Sequence, residues 1–182
     1  MKPPVPPRIL PVTEADLTAI ARLAGVIWPE CYAGIISREQ IEFMLAQMYS
    51  LDVLRDEIGA QGIHFYRLVV DGREKGFASI GPLNTSGVWK LHKIYLCPEI
   101  HGCGLGSRML QHCADEARRF GARRLILSVN KRNARAIAAY RRNGFTVAEA
   151  VMVDIGRGFV MDDFIMARDL AGDSSGLKPE SA

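Results

Sequence analysis

The chain has 182 residues, enough for one well-buried core and few for two, so a single domain is expected over residues 8–170. Its 23 lysines and arginines against 20 aspartates and glutamates leave a formal net charge of only +3, which excludes nucleic-acid binding through bulk charge. No run of about 18 uncharged apolar residues is present to span a membrane, and Met1-Lys2 followed by prolines lacks the apolar stretch of a secretory signal, so a cytoplasmic protein is expected.

Residues 1–7 hold four prolines and should form a flexible extended arm. Arg8 to Val12 reads as a short first strand. Thr13-x-x-Asp16 resembles a capping box, predicting a helix to about Ile27, with a loop from Trp28 to Ile36 that carries Trp28, Glu30, Cys31 and Tyr32. Ser37-x-x-Gln40 opens a second helix with Ile41, Met44, Leu45 and Met48 on one stripe, and Leu51 to Ile58 is a third helix closed by Gly59. Ile63 to Val70 and Gly76 to Gly81 are strands joined by a hairpin at Asp71-Gly72.

Val88 to Cys97 is the next strand, ended by Pro98, and a helix runs from Gly104 to Phe120 and stops at Gly121. Arg124 to Val129 is a strand, so strand, helix and strand imply a parallel pair with a right-handed crossover. A short helix begins at the N-cap residue Asn133 and stops at Gly144. Thr146 to Ile155 and Phe159 to Ala167 are the last strands, and 171–182 reads as a disordered tail.

The turn His101-Gly102-Cys103-Gly104-Leu105-Gly106 joins the central strand to its helix. Glycines at 102, 104 and 106 remove every Cβ that would hold a ligand off the backbone, and the helix's first N–H groups, through Ser107, point at whatever lies there. An anion is the expected guest. A P-loop needs a lysine after the last glycine, and none follows Gly106. A dinucleotide fingerprint needs a third glycine where Ser107 stands and an acid about 20 residues on, where Ser128 and Asn130 lie.

The cysteines at 31, 97, 103 and 113 form no Cys-x-x-Cys pair and read as free thiols. His92, Cys97, His101, Cys103, His112 and Cys113 lie close in sequence, yet no spacing matches a zinc finger or ribbon, so no metal is expected. Nine basic residues between Arg118 and Arg142 read mainly as a solvated face, with Lys131, Arg132 and Arg135 placed to meet the phosphates of an anionic cofactor. Only Phe120 and Tyr140 interleave with them, too few aromatics for a nucleic-acid surface.

His101-x-x-Gly104-x-Gly106 resembles the acyl-CoA signature Gln/Arg-x-x-Gly-x-Gly/Ala of the GNAT acetyltransferases, with histidine at the first place. The stretch Asn133 to Phe145 resembles the family's second motif, in which the asparagine contacts the CoA arm and the tyrosine, here Tyr140, faces the thioester sulfur. Gly87–Leu96, Asp154–Met166 and Tyr32–Ser37 further resemble the bacterial polyamine acetyltransferases of the PaiA type. The resemblance implies a mixed α/β (α+β) GNAT fold, with a central mixed sheet of six to seven strands, a splayed parallel pair and flanking helices. It also implies acetyl-CoA as co-substrate, its pantetheine arm pairing with the strand edge at Ile94, Tyr95 and Leu96.

Acetyl transfer needs a neutral amine, a stabilised oxyanion and a protonated leaving thiolate. An alkyl amine with pKa near 10.4 is neutral in about one molecule in 2,500 at pH 7, a cost of about 4.6 kcal/mol. Tyr140 is expected as general acid, with the N–H of Ile94 or Tyr95 supporting the oxyanion. His92, two residues from Ile94 and so on the same strand face, and Glu30, in the overhanging loop, are candidate bases; a water chain to a distant carboxylate would also serve, and His92 could instead be a half-buried strand histidine. Trp28, Glu30, Tyr32 and Asp162 are expected to contact the acceptor, a small amine or polyamine. A protein N-terminus or lysine as acceptor, and a CoA-binding module without turnover, stay open as alternatives. The exposed late strand could pair between two copies as a homodimer.

Overall fold

A computed structural model describes residues 6–171. The expected arm and tail fall almost wholly on residues outside that range. The elements are β1 (Arg8–Pro11), α1 (Leu17–Cys31), α2 (Arg38–Met48), α3 (Leu51–Gly59), β2 (His64–Val70), β3 (Arg73–Pro82) and β4 (Val88–Leu96), followed by α4 (Leu105–Arg119), β5 (Arg124–Asn130), α5 (Ala134–Arg142), β6 (Thr146–Gly156) and β7 (Phe159–Asp169). The seven strands form one sheet in the order β1-β2-β3-β4-β5-β7-β6, and β4 with β5 is its parallel pair.

Local chemistry explains most boundaries. The hairpin between β2 and β3 turns on Asp71 and Gly72, with φ of 49° and 75°, the pair of positive angles that a two-residue turn of matching twist requires. Thr13 donates its N–H and its hydroxyl to Asp16 Oδ2 at 2.9 Å each, and Ser37 Oγ accepts the N–H of Gln40 at 3.1 Å.

α1 does not stop at Ile27. It runs through Pro29 to Cys31, so Trp28 and Glu30 are helical and the loop is confined to residues 32–37. Proline costs a helix about 3 kcal/mol, because it lacks an N–H and crowds the carbonyl four residues back. Against that, Trp28 is 1% exposed, with ring centroids of Tyr32, Tyr95 and Tyr49 within 4.8–5.5 Å. Burying about 200 Å² of indole contributes about 5 kcal/mol, so the helix continues.

Helices cover both faces of the sheet. Met109, Leu110, Cys113, Ala114 and Ala117 of α4 bury against Leu68, Ile80, Leu91 and Leu125, with Ile137 of α5 beside them. On the opposite face α1, α2 and α3 enclose Leu17, Ile20, Trp28, Met44 and Leu54 against Phe65 and Phe77. Lys93 is buried on that second face, ion-paired with Glu57 and lying over the rings of Tyr49 and Phe65 at 5.5 and 5.4 Å.

Two irregularities shape the middle of the sheet. The parallel ladder holds from Val88–Arg124 to Leu91–Leu127, and beyond it the strands part. At the same level β4 bulges: Ser79 faces Lys93 and Ile80 faces Leu91, so His92 is an extra residue. Alternation therefore shifts. Leu91, Ile94 and Leu96 pack toward α4, whereas Tyr95 packs with the α1–α3 cluster. The expected common face of His92 and Ile94 does not hold, because a Cβ at Gly81 would meet His92 Nε2 at 3.4 Å on the side where it meets Ile63 at 3.0 Å.

Candidate active site

A cleft of about 560 Å³ opens where β4 and β5 diverge, walled by the unpaired edge of β4 (His92, Ile94, Tyr95, Leu96), by the glycine turn and by α5. Gly104 supplies the N-cap of α4 with φ 76°, and the first intrahelical bond runs from Arg108 N–H to Gly104 C=O at 3.1 Å. The N–H groups of Leu105, Gly106 and Ser107 thus have no helical acceptor. Added Cβ atoms at Gly102, Gly104 and Gly106 would meet no atom within 4 Å, so the backbone is bare toward the cleft. Cys103 and Leu105 do not line it: the Cys103 thiol lies near the His101 carbonyl, and Leu105 packs against the α4 core. Only their main chain can serve.

His101 turns back onto the strand, its ring Nε2–H donating to Leu96 C=O at 2.9 Å, which leaves Nδ1 as an acceptor without a described partner. Burial, reinforced by Arg135, holds its pKa below the ordinary imidazole value. Of the three basic residues expected near the phosphates, Arg135 alone lines the cleft, where Arg142 joins it. Lys131 is ion-paired with Asp162, and Arg132 donates to the carbonyls of Ile35 at 2.7 Å and Gly34 at 2.6 Å, tethering the loop after α1.

Asn133 caps α5, its Oδ1 accepting Ala136 N–H at 3.1 Å, and lines the cleft with Tyr140 two turns on. Burial pushes the Tyr140 phenol well above its ordinary pKa, so it holds its proton throughout the neutral range. Glu30 reaches the cleft as an exposed residue of α1, beside Cys31 and Tyr32.

A smaller compartment of about 100 Å³ lies on the α1–α2 side. Tyr32, His92, Tyr95 and Ser128 line both spaces and so form the neck between them. Across that neck the phenols of Tyr32 and Tyr95 share a hydrogen bond of 3.1 Å, and burial raises Tyr32 to about 12. Burial, with Lys90 and Lys93 nearby, lowers His92 from 6.5 to about 4, so the imidazole is neutral, and its Nε2 has no described partner. Trp28 floors this compartment from within the core instead of overhanging the cleft.

Asp162 lines neither space, since its side chain is held by Lys131. The neighbouring Asp163 does, because successive residues of β7 face opposite sides. The sequence reading placed Asp162 at the acceptor, and the face of β7 that meets the compartment instead carries Asp163. It also gave no role to the Tyr95 phenol, Ser128 or Lys90, whose placement depends on the strand parting and the bulge. Among the described residues no three His, Cys, Asp or Glu side chains come together in a metal-binding group.

The family model described as Acetyltransferase (GNAT) family matches residues 27–145, which hold the neck, the glycine turn and α5. Spermidine N(1)-acetyltransferase of Thermoplasma acidophilum is 27% identical over 151 residues, covering 81% of this chain and 90% of that one. L-methionine sulfoximine/L-methionine sulfone acetyltransferase of Salmonella typhimurium is 33% identical over 92 residues, about half of either protein (49% and 53%). Among solved structures, the PaiA N-acetyltransferase of Thermoplasma acidophilum in complex with coenzyme A superposes with a TM-score of 0.78 at 26% identity, over 91% of this chain and 99% of that one. The parted β4–β5 pair, the bare glycine turn capping α4 and the match over residues 27–145 lead to one conclusion: the chain belongs to the GNAT acetyltransferase family.

Proposed function

We propose that the protein transfers acetyl from acetyl-CoA to the primary amine of a small molecule, directly, with both substrates bound together. The observation that carries this reading is the cleft itself, in which an unpaired strand edge, a glycine-capped helix start and a protonated tyrosine face one space. The main-chain donors of residues 104–107, with Arg135 and Arg142, suit a diphosphate, and the β4 edge offers ladder groups to an amide-bearing arm. When bound, acetyl-CoA supplies a thioester carbonyl open to attack by an amine. The free cysteines suit the reducing cytoplasm that this reading implies.

Each step has a residue in reach. The Ile94 or Tyr95 N–H on the unpaired edge supports developing negative charge on the carbonyl oxygen. Tyr140 holds a proton at its Oη for the departing thiolate; its raised pKa favours donation only once that charge has formed. Neutral His92, at the neck with an unpaired ring nitrogen, accepts the amine's proton directly or through water, and Glu30 at the cleft wall is the second candidate. A small acceptor fits better than a peptide, because the acceptor side is a compartment of about 100 Å³ and not a groove.

The Thermoplasma relative's name brings a polyamine into consideration. Asp163 would offset one ammonium of such an acceptor, while Lys90 in the same compartment opposes the next. The test is an amine panel assayed for CoA release, beside calorimetric titration with acetyl-CoA. Saturable heat with release on at least one small primary amine is expected. Binding without release from any amine would leave a module that holds the acyl carrier and does not turn over.

A further inference from the structure

Asp163 is 6% exposed and lines the inner compartment, yet its carboxylate makes no hydrogen bond or ion pair with any described residue. Its neighbour Asp162, Lys131 and Asn130 all find partners; Asp163 does not. Lys90, two residues before the bulge on β4, lines the same space and likewise makes no hydrogen bond or ion pair with any described residue. The two are too far apart to pair, although the charge of Lys90 acts on the Asp163 carboxyl. A carboxylate in a mostly buried side chain without a partner carries a desolvation cost, and the charge of Lys90 across the same space offsets only part of it. Two opposite charges held apart across one small compartment match a ligand that brings both complements.

We propose that the inner compartment selects an acceptor that carries an anionic group as well as its amine, of the class of short amino carboxylates. Lys90 receives the anionic group, and Asp163 faces the amine end and draws it in as an ammonium before it surrenders its proton at the neck. The wall between them is apolar and aromatic, from Trp28, Ile36, Met44 and Met161, and suits a short hydrocarbon spacer. A diamine of equal length would set its second ammonium against Lys90, and a simple alkylamine would leave Lys90 unanswered. This assignment rests on the acetyltransferase reading and narrows its acceptor.

The experiment compares kcat/KM for three matched sets: linear amino carboxylates of two to five carbons, alkylamines of the same lengths, and diamines of the same lengths. The amino carboxylate is expected to exceed its matched alkylamine and diamine by about tenfold or more, the scale of one hydrogen-bonded charge. Lys90→Gln should abolish that preference, Lys90→Arg should keep much of it, and Lys90→Glu should turn it toward the diamine. Asp163→Asn should raise KM for all three sets more than it lowers kcat. Diamines preferred by the wild type, or a preference untouched by Lys90→Gln, would overturn the assignment and leave the transferase reading intact. Saturable acetyl-CoA binding with no release from any set would overturn both.

Discussion

Tyr140 and His92 show how burial sets chemistry at single positions. Both are shifted toward their neutral forms, by desolvation first, and so the cleft presents a proton donor and a proton acceptor with no net charge between them. Tyr140→Phe removes the donor and little volume. Its kcat is expected to fall by about 10²–10⁴-fold, with acetyl-CoA affinity by calorimetry within about threefold of the wild type. Unchanged kcat would remove Tyr140 from the proton path. Position 140 was named through the family's second motif, with helix spacing setting it on the face of Asn133, whereas the placement of His92 could not be read from the chain. A strand read by strict alternation puts 92 with 94, and only the extra residue opposite Ser79 and Ile80 reverses that.

Among the elements, the start of α4 is the most demanding. Gly104 holds φ 76°, where a side chain costs about 1–2 kcal/mol, and its missing Cβ would project into the cleft. Gly104→Ala should therefore lower stability by that amount in a denaturant titration and weaken acetyl-CoA binding further, by an order of magnitude or more. Equal losses in both would mean that the position serves the fold alone. β6 is one of the two outer strands, and Met152 and Val153 are 68% and 50% exposed upon it. A long apolar edge invites pairing, so sedimentation at rising concentration should show self-association that Met152→Lys suppresses. Glycine turns, caps and the Asp71-Gly72 hairpin were legible because each is local chemistry. The passage of α1 through Pro29 was not, since a proline stops a helix locally and the burial that overrides it comes from Tyr49 and Tyr95, far along the chain.

For the whole molecule, three histidines govern the response to acid. His92, His101 and His112 all lie below their ordinary pKa, chiefly through desolvation, so the unfolded chain takes up protons before the folded one does. Their contribution is complete above the unfolded value of 6.5 and is lost as pH falls toward 4. Asp163, raised by burial and by Asp162, works in the opposite sense, because protonation relieves its isolation. With the three imidazoles set against Asp163, and the lowered carboxyls of Asp16, Glu39 and Glu99 adding to the loss at the acid end, the denaturation midpoint should drop steadily between pH 6.5 and 4, and His92→Gln should flatten part of that slope; a midpoint constant over this range would contradict the burial of the imidazoles. The ladder of four residue pairs between β4 and β5 has a mechanical meaning as well. So few rungs make that seam the soft hinge of the sheet. Whatever threads the gap acts as a splint, and amide exchange along 92–96 and 128–130 should slow as the splint goes in.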